Sequence, residues 1–226
     1  MTNIAVLGTG TVGQALAGRL AALGHDVVVG TRDPGATLAR VEPDQMGDAP
    51  FSAWLSARPD IELATFADAA SRSEVVVNAS SGAATLDVLG LAGADNLAGK
   101  VLLDVSNPLD FSAGFPPTLA VKDTDSLAEQ VQRAFPEARV VKSLNTLTAS
   151  LMVEPQSLGE SSTVFVSGDD AAAKATVVEL LEGFGHGDVI DLGGLETARG
   201  AEMWLPLWLR LMGSLGTARF NVKVVR

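Results

Sequence analysis

The chain has 226 residues, 47% hydrophobic and 19% charged, with a formal net charge of −11. That is enough for one large or two small packed domains, and the acidic balance excludes nucleic acid and anionic membrane surfaces, which call for basic patches. Cysteine and tyrosine are absent. This excludes disulfides, thiolate metal sites, a cysteine nucleophile and a tyrosine proton donor.

Ile4 to Leu7 predicts a short strand at the N-terminus, followed by Gly8, Gly10 and Gly13 in the spacing G-x-G-x-x-G. Val12, Leu16, Leu20 and Leu23 then recur at helical spacing up to Gly24, and 26–30 is a second strand-length run. In the order strand, glycine turn, helix, strand, each glycine has its own reason. Gly8 lets the chain leave the strand sharply. Gly10 leaves room for a pyrophosphate against the backbone, and Gly13 lets the helix pack close to the sheet. Unpaired N–H groups at the helix start suit phosphates. The expected ligand is a dinucleotide at Gly8, Thr9, Gly10, Thr11, Val12 and Gly13.

The second strand ends in Gly30-Thr31-Arg32. NAD-binding units place an acid at this position, where it holds the ribose 2′-hydroxyl. A hydroxyl and a guanidinium instead suit a 2′-phosphate. Thr31 and Arg32 therefore predict NADP(H).

Residues 33–60 read as a broken helix and a loop, with Trp54 and Leu55 packing back on the body. Residues 61–73 suggest a third short strand and a helix. "EVVVNAS" (74–80) is an apolar strand ending in small polar residues, 83–93 a helix, and "KVLLDVSNPLDF" (100–111) another buried strand. An amphipathic helix follows at 125–135, capped by Asp125 or Ser126. "ARVVKSLNTLTA" (138–149) is a strand running into a polar turn. Strand "STVFVSG", helix "DAAAKATVVELLEGFG" and strand "DVIDLGG" come next. Residues 195–216 read as a long helix, apolar almost all round beyond Met203 and bent or divided by Pro206. "RFNVKVV" closes the chain as a strand or tail. This alternation predicts an α/β fold with a parallel, doubly wound sheet.

Ligands in such sheets sit outside the carboxyl ends of the strands. Three strand ends are polar: Asn78-Ala79-Ser80, Ser106-Asn107-Pro108 and Ser143-Leu144-Asn145-Thr146. The histidines, His25 and His186, fall in helix-to-strand turns and are expected at the surface. No residue cluster has metal-ligand spacing, and Lys142, the lysine nearest the rim, lies within a strand. Carbonyl reduction needs a proton donor beside the hydride. Transfer between two redox rings needs mainly their alignment in a dry cleft.

"IAVLGTGTVGQALAGRLAALGHDVVVGTRDP", "VVKSLNTLTA" and the ending from "DLGGLETARGAEMW" onward together resemble the deazaflavin (coenzyme F-420)-dependent NADP oxidoreductases, a superfamily that includes the cytosolic domains of the STEAP metalloreductases. The resemblance runs over the whole chain. It implies a Rossmann domain (1–145) and a small C-terminal α/β extension (146–226) that completes the active site. NADP(H) would lie at Thr9 to Val12, with Thr31 and Arg32 on the 2′-phosphate and Ala79 and Ser80 near the adenosine-side ribose and pyrophosphate. Asn145 and Leu147 would stand by the nicotinamide and the partner ring. From the polar rim, Asn78 and Asn107 are further cofactor-binding candidates, and Asn145, a neutral amide, is the candidate catalytic residue for orienting the nicotinamide. The deazaflavin reductases carry His where Asn145 stands and a lysine where this chain has Pro34, Gly35 and Ala36; Asn at position 145 is closer to the STEAP-like branch, and the stretch 35–60 is longer here.

The expected activity is hydride transfer between NADP(H) and a flavin-like or deazaflavin partner. A non-catalytic NADP(H) sensor and a reductase of another small substrate are the alternatives. The apolar segment 203–213 is expected to pair two copies in a homodimer. No apolar run reaches the length of a membrane span, the N-terminus carries no leader-like pattern, and a cytoplasmic location is expected.

Overall fold

A computed structural model of the chain describes residues 1–42 and 49–226. Part of the loop expected within 33–60 therefore lies outside the described residues.

The first unit is strand β1 (Asn3–Leu7), helix α1 (Thr11–Ala22) and strand β2 (Asp26–Thr31). Short helices α2 (Pro34–Leu38) and α3 (Phe51–Ser56) lead to β3 (Glu62–Thr65), α4 (Phe66–Arg72) and β4 (Val75–Asn78). Then come α5 (Thr85–Ala92), α6 (Ala94–Leu97) and β5 (Val101–Asp104), with a small hairpin of β6 (Leu109–Asp110) and β7 (Thr118–Leu119). Helix α7 (Leu127–Ala134) and strand β8 (Arg139–Ser143) complete the parallel part. After α8 (Ala149–Val153) the chain adds β9 (Thr163–Gly168), α9 (Ala171–Phe184) and β10 (Asp188–Gly193). It ends in α10 (Ala198–Met203), α11 (Leu205–Leu215) and an extended tail.

The main sheet has eight strands in the order β10-β9-β8-β5-β4-β1-β2-β3. Six are parallel, and β9 turns antiparallel against β8, with β10 parallel to β9. This is the expected doubly wound α/β fold. Its chain order reverses between β1 and β4, which creates a crevice at their carboxyl ends. Residues 146–226 extend the same sheet rather than folding apart from it. Val164, Val166, Leu181 and Phe184 share one apolar core with Ile4, Leu16 and Leu20, beneath α1, α8 and α9. The opposite face is closed by α4 to α7 over Val76, Leu102, Val131 and Val140. Trp54 and Leu55 pack back on the first core, as expected.

Local chemistry sets the helix starts. Ser126 accepts from the Glu129 N–H and donates to the Glu129 carboxylate, a reciprocal cap that resolves the Asp125-or-Ser126 choice. Asp33 and Asp170 cap α2 and α9. The long helix expected over 195–216 is two helices, divided at Trp204 because Pro206 cannot supply an interior N–H. The tail is held by backbone and side-chain bonds between 221–224 and Ser162–Thr163 and forms no strand.

Candidate active site

At the carboxyl end of β1 the glycine loop is held from both sides. The Gly8 N–H donates to the Gly30 carbonyl, and the Ala79 N–H donates to the Leu7 carbonyl. Gly8 has φ +133°, and a Cβ there would lie 2.6 Å from the Ala79 oxygen. A Cβ on Gly13 would lie 2.1 Å from the Gly8 oxygen. Both glycines are thus dictated by close backbone approach. Gly10 differs, for its Cβ would meet nothing within 4 Å. It is also the N-cap of α1, which no side chain caps. Gln14 donates to the Thr9 carbonyl and steadies the loop from the helix.

A cleft of about 490 Å³ opens over this loop. Thr9, Gly10, Thr11 and Gln14 form one wall, and Thr37, Arg40 and Phe51 stand among the residues opposite. Thr31 lies behind that wall, 6% exposed, with its hydroxyl 2.8 Å from that of Thr37. Arg32 is exposed beside it. Gly30 has a packing reason of its own: a Cβ there would come 2.7 Å from Leu7 Cδ2. Thr37 and Arg40 were not anticipated. The signal was Asp33-Pro34, a cap and first-turn proline that start a helix and carry both residues back over the strand end.

On the other side of the crevice, three neighbouring strands end their apolar runs in register. Asn78 pairs with Asp104, and Asp104 with Lys142. All three side chains are buried. Lys142 donates to Asp104 (2.7 Å), to Glu202 of α10 (2.8 Å) and to the Ser106 carbonyl (2.6 Å). Its three protons thus meet three acceptors. Burial opposes its charge, but the two carboxylates outweigh that and raise its pKa above the ordinary value. Asp104 also accepts from Asn78 and from the Ser106 N–H and hydroxyl. Glu202 accepts from the first two N–H groups of α7, Leu127 and Ala128. An Arg199–Glu129 pair ties α10 to α7 a second time, and this Arg199 bond holds Glu129 below the usual carboxylate range despite burial.

Above this row lie Asn107 and Asn145. Asn107 Nδ2 donates to the Asn145 carbonyl (2.8 Å), and Asn145 Nδ2 donates to Asn107 Oδ1 (2.9 Å) and to the Ala201 carbonyl of α10 (3.0 Å). Both donors of the Asn145 amide are therefore engaged within the protein. Just before it, Leu144 has φ +61°, and the Asn145 N–H closes a three-residue turn on the Ser143 carbonyl. This turn is strained for a leucine and is held by its surroundings.

The sequence-predicted residues fall into three groups. Gly8 to Thr11, Gly13 and Ala79 meet at the loop. Val12 and Leu147 belong to the core beneath it. Asn78 is fully buried and orients Ser80, whose hydroxyl donates to its Oδ1 (2.6 Å). His25 lies at the far end of the sheet, where β2 begins. His186 is not at the surface as expected but 2% exposed. Its Nε2 faces the Met152 carbonyl of α8 at 2.9 Å, and burial lowers its pKa despite that bond. No acidic or histidine cluster among the described residues could hold a metal, and no described helix is long and apolar enough to cross a membrane.

A glycine loop at the point where strand order reverses, beside a polar rim, defines a dinucleotide-binding protein of the Rossmann class. Known proteins narrow this. Residues 3–108 match the family described as NADP oxidoreductase, coenzyme F420-dependent. The F420-dependent NADP reductase of Methanothermobacter marburgensis is 31% identical over 215 residues, 92% of each chain. Rat Metalloreductase STEAP3 is 31% identical over 212 residues, but this chain spans only 38% of its length. The crystal structure of a provisional F420-dependent NADP reductase from Arthrobacter sp. FB24 superposes with a TM-score of 0.96 at 61% identity, covering both chains fully. The chain belongs to the coenzyme F420-dependent NADP oxidoreductase family, a family of NADP-dependent oxidoreductases.

Proposed function

We propose that this protein transfers a hydride between NADP(H), held across the glycine loop, and a deazaflavin of the coenzyme F420 type. The observation that carries the nucleotide half is Gly10, the loop glycine whose missing side chain leaves open space rather than a packed contact. That space, at an α1 N-terminus without a side-chain cap, suits a pyrophosphate. Thr31 and Arg32 suit the 2′-phosphate. Bound here, the nicotinamide supplies or accepts the hydride.

What the chain contributes to the reaction is alignment. Lys142 is enclosed by its two carboxylates and serves no proton transfer at the rim. Asn145 has spent its donors on Asn107 and Ala201, so its role is to fix the wall against which the rings lie. The C-terminal segment completes the site through that Ala201 carbonyl. Asn145 stands where deazaflavin reductases carry His, and it is the residue on which partner choice turns. A deazaflavin ring can take its proton from solvent and needs no acid–base pair, in keeping with the site described.

We further propose a homodimer through α11. Within that helix only Leu205 is buried, while Leu207 and Leu215 are 50% and 56% exposed. A second copy across a two-fold axis would cover this face. Sedimentation at micromolar concentration should give twice 23.3 kDa, and a monomer would contradict it.

Mixing the protein and NADPH with coenzyme F420, FMN, FAD or a ferric complex tests the reaction. NADPH oxidation with the deazaflavin, and little with the others, is the expected result. Turnover with the ferric complex alone would point to the metalloreductase branch. Binding without any turnover would make the protein a nucleotide sensor.

A further inference from the structure

We propose that Arg40 is a second cationic ligand of the adenosine 2′-phosphate and, through Thr37 and Thr31, a determinant of NADP over NAD. The inference rests on the NADP reading above and deepens it by naming a residue outside the strand end. Its ground is the wall of the cleft. Arg40 and Thr37 line the same cavity as Thr9, Gly10 and Thr11; Arg40 is exposed there, while Thr37 (2% exposed) and Thr31 (6%) are both buried behind it.

Arg40 Nη2 donates to Thr37 Oγ1 at 3.2 Å, and that hydroxyl lies 2.8 Å from Thr31 Oγ1. A guanidinium can only donate, so Thr37 accepts from it. The two hydroxyls share one proton between them. The other proton is left for an acceptor outside the pair. A phosphate oxygen is such an acceptor, and a charged donor at the head of the chain strengthens each bond that follows.

Among the described residues Arg40 forms no ion pair. Its backbone is fixed, because the Ser52 hydroxyl of α3 donates to its carbonyl at 3.0 Å. Glu42 lines the same cleft, and its carboxylate suits a sugar hydroxyl and not a phosphate. Among the described residues, a purely structural role for Arg40 would rest on one side-chain bond to the neutral hydroxyl of the buried Thr37, at 3.2 Å. A bidentate guanidinium on a phosphate contributes far more.

The test is a titration of folded protein with two mononucleotides, 2′,5′-ADP and 5′-AMP, followed by calorimetry or by tryptophan fluorescence. Trp54 stacks on Phe51 of the cleft wall at 5.3 Å and serves as the reporter. The wild type should prefer 2′,5′-ADP. Arg40→Ala should weaken 2′,5′-ADP by roughly 10- to 100-fold, the loss of one charge-assisted contact, and leave 5′-AMP unchanged. Arg40→Lys should recover part of the loss. If Arg40→Ala still prefers 2′,5′-ADP as strongly as the wild type while Arg32→Ala does not, the NADP reading stands and the role of Arg40 is overturned. Equal weakening of both nucleotides by Arg40→Ala overturns it too, since the residue then merely shapes the wall. If the wild type binds both nucleotides alike, the NADP reading itself fails.

Discussion

Around the glycine loop the site is made of neighbours in sequence. β1, α1 and β2 bring residues 4–32 together; Gly13 answers Gly8 within the loop, Gly8 answers Ala79 at the end of the neighbouring strand, and Gly10 leaves open space. Across the crevice the opposite holds. Asn78, Asp104, Lys142 and Glu202 come from four separate elements, meet at one level of the sheet and bury two carboxylates around one ammonium. The first region is open and is the proposed nucleotide site; the second is closed and holds the rim in place. Nucleotide affinity and ring alignment should therefore be separable by mutation.

The largest expected effect is on the open side. Gly10→Val places its side chain in empty space, so the protein should fold, with a melting temperature lowered only by the roughly 1 kcal/mol cost of a poorer N-cap. NADPH and NADH binding should both become undetectable by calorimetry, because the branched side chain occupies the place of the pyrophosphate. Retained binding in the folded variant would remove the loop from the site.

On the closed side, Lys142→Met leaves Asp104 and Glu202 facing each other without their counter-ion. Breaking a buried pair in this way costs about 3–5 kcal/mol, measurable by urea unfolding. A loss below about 1 kcal/mol, typical of a surface pair, would show that the row is not the clamp described.

Arg32→Ala gives a smaller and more selective loss. Removing charge-assisted bonds worth roughly 1.5–3 kcal/mol should weaken NADPH by about 10- to 150-fold. NADH should change little. An equal loss for both nucleotides would make Arg32 a structural residue.

The smallest expected effect is a pH dependence. His186 is buried and its pKa is lowered from 6.5; His25 is shifted the same way, by burial and then by the charged N-terminus. Below about pH 6.5 the unfolded chain binds protons that the native histidines do not, so stability falls as pH drops through that value. Urea unfolding at pH 7.5 and 5.5 should show the loss, and His186→Gln should reduce it. A variant with the same slope as wild type would mean that His186 does not carry it.

These contrasts explain what was legible in the sequence. The glycine spacing, the acid missing after β2 and the alternation of apolar runs are local patterns, and fold and loop followed from them. The buried row was written as "VVVN", "VLLD" and "VVKS", three runs each ending in a polar residue. Only the register of β4, β5 and β8 shows that the three ends meet. Glu202 carried no local signal at all, since its partners lie some 60 to 75 residues earlier. His186 looked like a turn residue because the α8 backbone that covers it is remote in sequence. Thr37 and Arg40 were accessible in principle through the Asp33-Pro34 helix start, but their meeting with the loop depends on how α2 folds back.

The separation of binding from alignment is tested most directly at Asn145, in a single-turnover titration of Asn145→Ala with NADPH and coenzyme F420. One experiment returns both the NADPH Kd and the rate at saturation. With the wall loosened but the loop intact, Kd should stay within about 3-fold of wild type. The rate should fall by roughly 10- to 100-fold, as small misplacements of reacting groups do. An unchanged rate at saturation would contradict the account and move the active site away from this crevice.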